Sequence, residues 1–226
     1  MSDLKAVHVN GIRLAYRRFG APFAPTVVLL HALGETSESW QQLASKLAVD
    51  YCVYAVDLRG HGDSDRPGAY QFALMRDDVL GFLSELELAP TILIGHSMGA
   101  VVAYLVAEQK PAAVSRLILE DPAPPLARQA PEPPRRPEGP LAFDWAVLAL
   151  RDQLTDPPAE WWEQLAEITA PTLVIGGGPT SHIPQEQLAD LADRIPNARF
   201  TTIPAGHEIH ATRPDEFLAE VTAFLS

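Results

Sequence analysis

Gly95-His96-Ser97-Met98-Gly99 sets one hydroxyl between two glycines, and His207 follows much later in Ile203-Pro204-Ala205-Gly206-His207. A serine is a poor nucleophile at neutral pH. A histidine within hydrogen-bond reach activates it, and a carboxylate that orients the histidine completes the set needed for acyl transfer. The surroundings of Ser97 suit that role. Thr91-Ile92-Leu93-Ile94 reads as a short buried strand, and the apolar, small-residue segment after Gly99 reads as a helix. A strand that reverses this sharply into a helix brings backbones too close for side chains at Gly95 and Gly99. Ser97 is then held at the apex of a strained turn at a helix N-terminus, where free amides and the positive dipole end face any charge formed beside it.

The elements that must position these residues follow from periodicity. Val7 to Phe19 alternates around Asn10-Gly11 and predicts an antiparallel hairpin. Thr26 to Leu30, Tyr51 to Val56, Arg116 to Glu120, Thr172 to Ile175 and Arg199 to Ile203 are apolar, strand-like runs. Between them lie helical segments: one capped by Thr36 or Ser37 and running through Val49, then Phe72 to Leu88, the elbow helix to about Gln109, Gln185 to Arg194, and Pro214 to Leu225. Buried strands alternating with amphipathic helices predict an α/β fold with a mostly parallel sheet covered on both faces and a hairpin at one edge. Ligands in such a sheet bind beyond the carboxyl ends of its strands, where both Ser97 and His207 stand.

Composition narrows the class. The chain of 226 residues is 47% apolar and 20% charged, with 29 acidic against 17 basic residues and a formal charge of −12. That surface repels nucleic acid and anionic membranes. The first residues lack a signal-peptide layout and no apolar run has membrane-spanning length, so a cytoplasmic protein acting on a small molecule is expected. The single cysteine, Cys52, reads as a buried structural thiol rather than a metal ligand. Eight of the 21 prolines fall between Pro122 and Pro140, which predicts an irregular connection followed by short helices near 144–154 and 160–168. The other histidines are less suited to act as a base: His8 lies in the hairpin, His31, His61 and His96 sit in turn motifs, and His182 and His210 have no evident role.

The chain resembles the α/β-hydrolases over nearly its whole length. The resemblance rests on the hairpin, His31-Ala32-Leu33-Gly34, the run Asp57-Leu58-Arg59-Gly60-His61-Gly62-Asp63-Ser64, the elbow, and Gly206-His207 with Pro214 beyond it. It implies a core of residues 1–121 and 171–226, a short proline-rich cap at 122–170, and an oxyanion hole made by the amides of Leu33 and Met98. It also implies that the Asp57 to Ser64 run is a structural turn, and that neither metal nor organic cofactor is used. A carboxylic ester hydrolase is the expected activity. A carbon–carbon bond hydrolase, a lactonase, a perhydrolase and a ligand-binding protein without turnover are the alternatives, while a serine elbow speaks against epoxide hydrolase or dehalogenase chemistry.

One departure from the family pattern concerns the acid. After Ile175 the usual acid position is Thr180, and nothing from Gly176 to Pro184 is acidic. The preceding strand ends in Glu120-Asp121, and Asp121 is the candidate, with Glu120 and Asp144 behind it. The alternative for Asp121 is a turn cap before Pro122. Trp145, Trp161 and Trp162 in the insertion read either as an apolar lid over an ester's acyl or alkyl group or as packing for the small helices there. Arg135 and Arg136 read as solvated.

Overall fold

The computed structural model describes residues 3–129, 132 and 134–226. β1 (Asp3–Val9) and β2 (Ile12–Phe19) meet at Asn10-Gly11, both at positive φ (48° and 78°), the handedness that a two-residue hairpin turn requires. β3 (Thr26–Leu30), β4 (Cys52–Val56), β5 (Thr91–His96), β6 (Val114–Glu120), β7 (Thr172–Gly176) and β8 (Ala198–Thr202) complete one sheet of eight strands in the order β1-β2-β4-β3-β5-β6-β7-β8. β2 pairs antiparallel with β1 and β4, and all other pairings are parallel. This is the architecture expected from the sequence.

The helices are α1 (Gln41–Leu47), α2 (Phe72–Glu85), α3 (Met98–Gln109), α4 (Leu150–Thr155), α5 (Ala159–Gln164), α6 (Gln185–Arg194), α7 (Ile209–Thr212) and α8 (Pro214–Leu225). Alternate residues of each strand face opposite sides, and the core divides accordingly. Val28, Leu30, Leu93, Leu117 and Val174 share one cluster with Phe82 of α2, Val101 of α3 and Leu188 of α6. Val27, Leu29, Ile94, Ile118 and Ile175 share the other with Leu43 of α1 and Phe217 of α8. Burial on both faces is why these strands read as unbroken apolar runs.

Three boundaries differ from expectation. The helix predicted from Thr36 or Ser37 begins as a 3₁₀ turn over Ser37–Trp40, because the Ser37 amide is held by Asp57 Oδ1 at 2.6 Å. Thr36 supplies the cap, its Oγ1 accepting from the Glu38 amide at 3.3 Å. α2 stops at Glu85, and Glu87 turns the chain away with φ of 53°. The short α7, just past His207, has no clear sequence signal. The described part of residues 121 to 171 adds no strand to the sheet and holds a 3₁₀ turn at Trp145–Ala149, then α4 and α5. Of the proline-rich stretch, residues 130, 131 and 133 lie outside the described residues.

Candidate active site

Ser97 has φ of 52° and ψ of −112°, a conformation that costs a residue with a side chain about 1–3 kcal/mol. The surroundings hold it there. A Cβ on Gly95 would lie 2.4 Å from the Gly99 carbonyl oxygen, and one on Gly99 would lie 2.2 Å from the Leu30 oxygen and 2.6 Å from that of His31. Only glycine lets α3 pack this closely against the ends of β3 and β5. The Ser97 amide donates to the Glu120 oxygen at 2.9 Å, which ties the elbow to the end of β6.

His207 lies on the loop between β8 and α7, after Gly206 at φ of 79°. Its Nδ1 is 2.6 Å from Asp121 Oδ2. Asp121 also accepts from Ser181 Oγ at 2.5 Å and, through Oδ1, from the Gly177 amide at 2.9 Å. Burial opposes its charge, but the bonds from His207, Ser181 and Gly177 outweigh that and hold the carboxyl below its usual range. The loop that lacks an acid at Thr180 thus supplies two donors to an acid arriving from the neighbouring strand. Asp121 itself sits at φ of 42° with its amide on the Ile175 oxygen at 2.8 Å, so its side chain turns toward that loop and not into a turn cap alone. No hydrogen bond joins Ser97 to His207 among the described residues; such bonds often tighten only when substrate is bound.

Among the described residues, several backbone amides near Ser97 have no protein partner. In the loop after β3 the Ala32 amide donates to Glu35 Oε2, the Gly34 amide to His61 Nε2, and the Glu35 amide to the Ala32 oxygen. Among the described residues, the Leu33 amide and the Met98 amide at the start of α3 have no protein partner. The Asp57 to Ser64 run braces this loop. His31 Nε2 accepts from the Leu58 amide at 3.0 Å, and burial lowers the His31 and His61 imidazoles to about 4 and about 3. Neutral rings are what such acceptor roles need. Arg59 pairs bidentately with buried Asp78 at 2.6 and 2.8 Å, which anchors the same turn on α2.

The other acid candidates are occupied elsewhere. Glu120 faces His210, with both oxygens within 3.0 Å of Nδ1, and accepts the His210 amide at 2.8 Å. Asp144 accepts from the Tyr70 hydroxyl at 2.6 Å and caps the 3₁₀ turn at the Ala146 amide. His96 donates through Nε2 to the His207 oxygen at 2.8 Å. Burial disfavours its charge, yet Glu120 and Glu35 prevail and lift the ring to about 9. Glu35, His96 and His210 form the group of described residues whose ligand atoms converge, all within 4.8 Å of one another. A cation there would compete with the proton that Glu120 and Glu35 favour on His96.

A cavity of about 470 Å³ opens over Ser97, with the insertion, the loop before α6 and α6 itself forming its walls. Ala123, Leu154 and Ile183 give it apolar surface, while Arg128, Arg151 and His182 give it polar surface. The His182 ring stands 4.2 Å from that of His207. Trp145, Trp161 and Trp162 do not reach its wall. Trp161 packs edge-on against Phe72 at 5.7 Å, and Trp145 lies 6.0 Å from Phe143. An apolar tryptophan lid is therefore not what the fold presents, because Trp161 and Trp162 pack against the core and Trp145 against Phe143 of the insertion itself. Ser181, His182, Arg128 and Arg151 carried no chemical signal in the sequence, except that Ser181 adjoins the position where an acid was missing.

Comparison with known proteins agrees with this architecture. Residues 27–221 match the profile of the alpha/beta hydrolase family. A mouse (Mus musculus) protein, the sn-1-specific diacylglycerol lipase ABHD11, is 27% identical over 249 residues, covering 89% of this chain and 81% of its own. A hydrolase structure from Pseudomonas aeruginosa PA01 superposes with a TM-score of 0.87 at 28% identity, covering 99% of this chain and 98% of its own. The enol-lactonase structure from Burkholderia xenovorans LB400 gives 0.81 at 24% identity, covering 98% and 99%, a likeness of fold. No helix of the described residues is long and apolar enough to cross a membrane.

Proposed function

The chain belongs to the alpha/beta hydrolase family, and on that premise we propose that it is a serine hydrolase that cleaves small carboxylic esters through an acyl-enzyme. The observation that carries the reading is the 2.6 Å contact between His207 Nδ1 and Asp121 Oδ2, with the His207 ring 4.2 Å from that of His182, which lines the same cavity as Ser97. Asp121 holds the proton on Nδ1 and leaves Nε2 as the base. Ser97 attacks the carbonyl carbon as Nε2 takes its proton, and the amides of Leu33 and Met98 stabilise the oxyanion. The imidazolium then protonates the departing alcohol. In the second half His207 draws a proton from water, the hydroxide attacks the acyl-enzyme, and Ser97 leaves with its proton restored.

In this reading residues 1–121 and 171–226 are the catalytic core and 122–170 the cap that shapes the cavity. The substrate is a small molecule, met in the cytoplasm. The lipase relative supports ester chemistry and the lactonase fold likeness is compatible with it. A binding-only role was suggested by Thr180 at the usual acid position; it loses its motive when Asp121 supplies the carboxylate.

The test is intact-mass analysis after reaction with a small fluorophosphonate, for the wild type and for Ser97→Ala. One adduct on the wild type and none on the variant is the expected result. A folded wild type that forms no adduct, and hydrolyses no p-nitrophenyl ester, would sink the proposal.

A further inference from the structure

The cavity over Ser97 is basic although the chain as a whole carries a formal charge of −12. Among the described residues, its wall includes Arg128 and Arg151 and no carboxylate. Neither arginine lies within 4.0 Å of a carboxylate oxygen among the described residues. A solvated arginine needs no partner, and exposed Arg135 and Arg136 stand in that condition. Arg128 is different.

Arg128 is half-buried and held from both arms of the insertion. Nε donates to the Leu154 oxygen at 2.8 Å and Nη2 to the Pro124 oxygen at 2.9 Å, while its amide donates to the Thr155 oxygen at 2.9 Å. A guanidinium has five N–H donors, so two are spent on immobilising it and three remain. Burial pulls its pKa down, and the nearby Tyr104 hydroxyl is the group that opposes this. Fixing an unpaired guanidinium partly out of water costs free energy that folding alone does not recover, since both carbonyls could be satisfied by a neutral donor. Arg151 stands on the same wall, and the Thr155 and Gln187 side chains add neutral hydrogen-bonding capacity there. Two arginines on the wall of one space without an acid beside them are suited to recognise the planar or tetrahedral oxygens of an anion.

We propose that the substrate carries, besides its ester, an anionic oxygen group (a carboxylate or a phosphate or phosphonate) that Arg128 and Arg151 bind within the cavity. The proposal rests on the serine-hydrolase reading and adds the substrate class. It also replaces the apolar lid as the source of selectivity: the ester is chosen by charge at one end and by the apolar wall of Ala123, Leu154 and Ile183 along its length.

The experiment compares three p-nitrophenyl esters of similar length: the neutral pentanoate, the hydrogen glutarate, and the ester of 4-phosphonobutyrate. The expected result is a kcat/KM for at least one charged ester about ten-fold or more above the neutral one, with the preference shrinking as ionic strength rises. The glutarate arm and the phosphonate arm separate carboxylate from phosphate recognition. In Arg128→Gln and Arg151→Gln the charged-to-neutral ratio is expected to fall toward one; a ratio cancels any general loss of activity, and Arg151→Gln keeps the test alive if Arg128→Gln does not fold. Hydrolysis of the neutral ester at a rate equal to or above both charged ones overturns the anion site and leaves the serine hydrolase intact. No hydrolysis of any ester, together with no fluorophosphonate adduct, overturns the hydrolase reading and this proposal with it.

Discussion

The end of β6 carries two imidazole–carboxylate pairs made from consecutive acids, and they differ chiefly in access to solvent. Asp121 and His207 lie 2.6 Å apart with side chains 0% and 23% exposed; Glu120 and His210 lie 2.8 Å apart with side chains 0% and 3% exposed. His210 is sealed under Trp40, whose ring stacks on it at 4.0 Å. His207 borders the cavity loop through its neighbour His182. The same chemical pair therefore stands in two settings. Sealed from water, it ties α7 to the sheet; left partly open, it has a ring nitrogen that can exchange protons with a bound molecule. A carboxylate–histidine pair is not diagnostic of catalysis until its second nitrogen has somewhere to send a proton.

The largest effects should come from the open side. Ser97→Ala and His207→Ala are each expected to lower ester kcat/KM by about 10⁴-fold or more, read against circular dichroism showing a folded chain. Full activity in His207→Ala would remove the open pair from the mechanism.

The sharpest contrast sets Asp121→Asn beside Glu120→Gln. Asp121→Asn should cost about 10²- to 10⁴-fold in kcat. Glu120→Gln weakens the buried carboxylate's bonds to the His210 amide and ring and should cost about 3 kcal/mol of stability in urea unfolding, with kcat within about ten-fold of the wild type. The opposite pattern, with turnover following Glu120 and stability following Asp121, would exchange the two roles.

Glu108 extends the comparison to a buried carboxyl with no imidazole. Among the described residues both its oxygens lack a partner, and burial pushes it up to about 9, with Arg76 only partly opposing. Its folded pKa lies above the unfolded 4.5, so the folded chain binds the extra proton between those values. Its contribution to stability is complete below about pH 4.5 and is lost as pH rises through about 9. Glu108→Gln should therefore remove a pH-dependent loss on the order of 5 kcal/mol between pH 5 and pH 9. Parallel stability profiles for variant and wild type would show that Glu108 is ionised in the fold.

The smallest effect is expected at Ser181. Its hydroxyl is one of three donors to Asp121, and Ser181→Ala should lower kcat by about three- to ten-fold. An unchanged kcat would mean that His207 and the Gly177 amide suffice to hold the carboxylate.

Much of this was legible in the residues because it is local. The Asn10-Gly11 turn, the glycines around Ser97 and the unbroken apolar strands follow from backbone sterics and from periods of two and 3.6, which act over a few neighbouring residues. His207 could be placed on the same sheet edge as Ser97 because parallel strands put their following loops on one side. The direction of each acid was another matter. Glu120 and Asp121 are adjacent, and side chains alternate along a strand, so a slip of one residue would exchange their partners. What decides between them is the register of β6 against β7, the turn of Asp121 at φ of 42°, and the two donors from the loop at Gly177 and Ser181. The cavity was equally hidden. Arg128 and Arg151 look like any surface arginines until the fold of the insertion brings them onto one wall with Ser97, and the three tryptophans look like a lid until their rings are found seated against the core and the insertion itself. Sequence by itself determined the sheet, the turn that carries Ser97 and the loop that carries His207, each specified by near neighbours; tertiary structure decided which histidine each acid faces and which arginines line the cavity, because both depend on which distant loops meet.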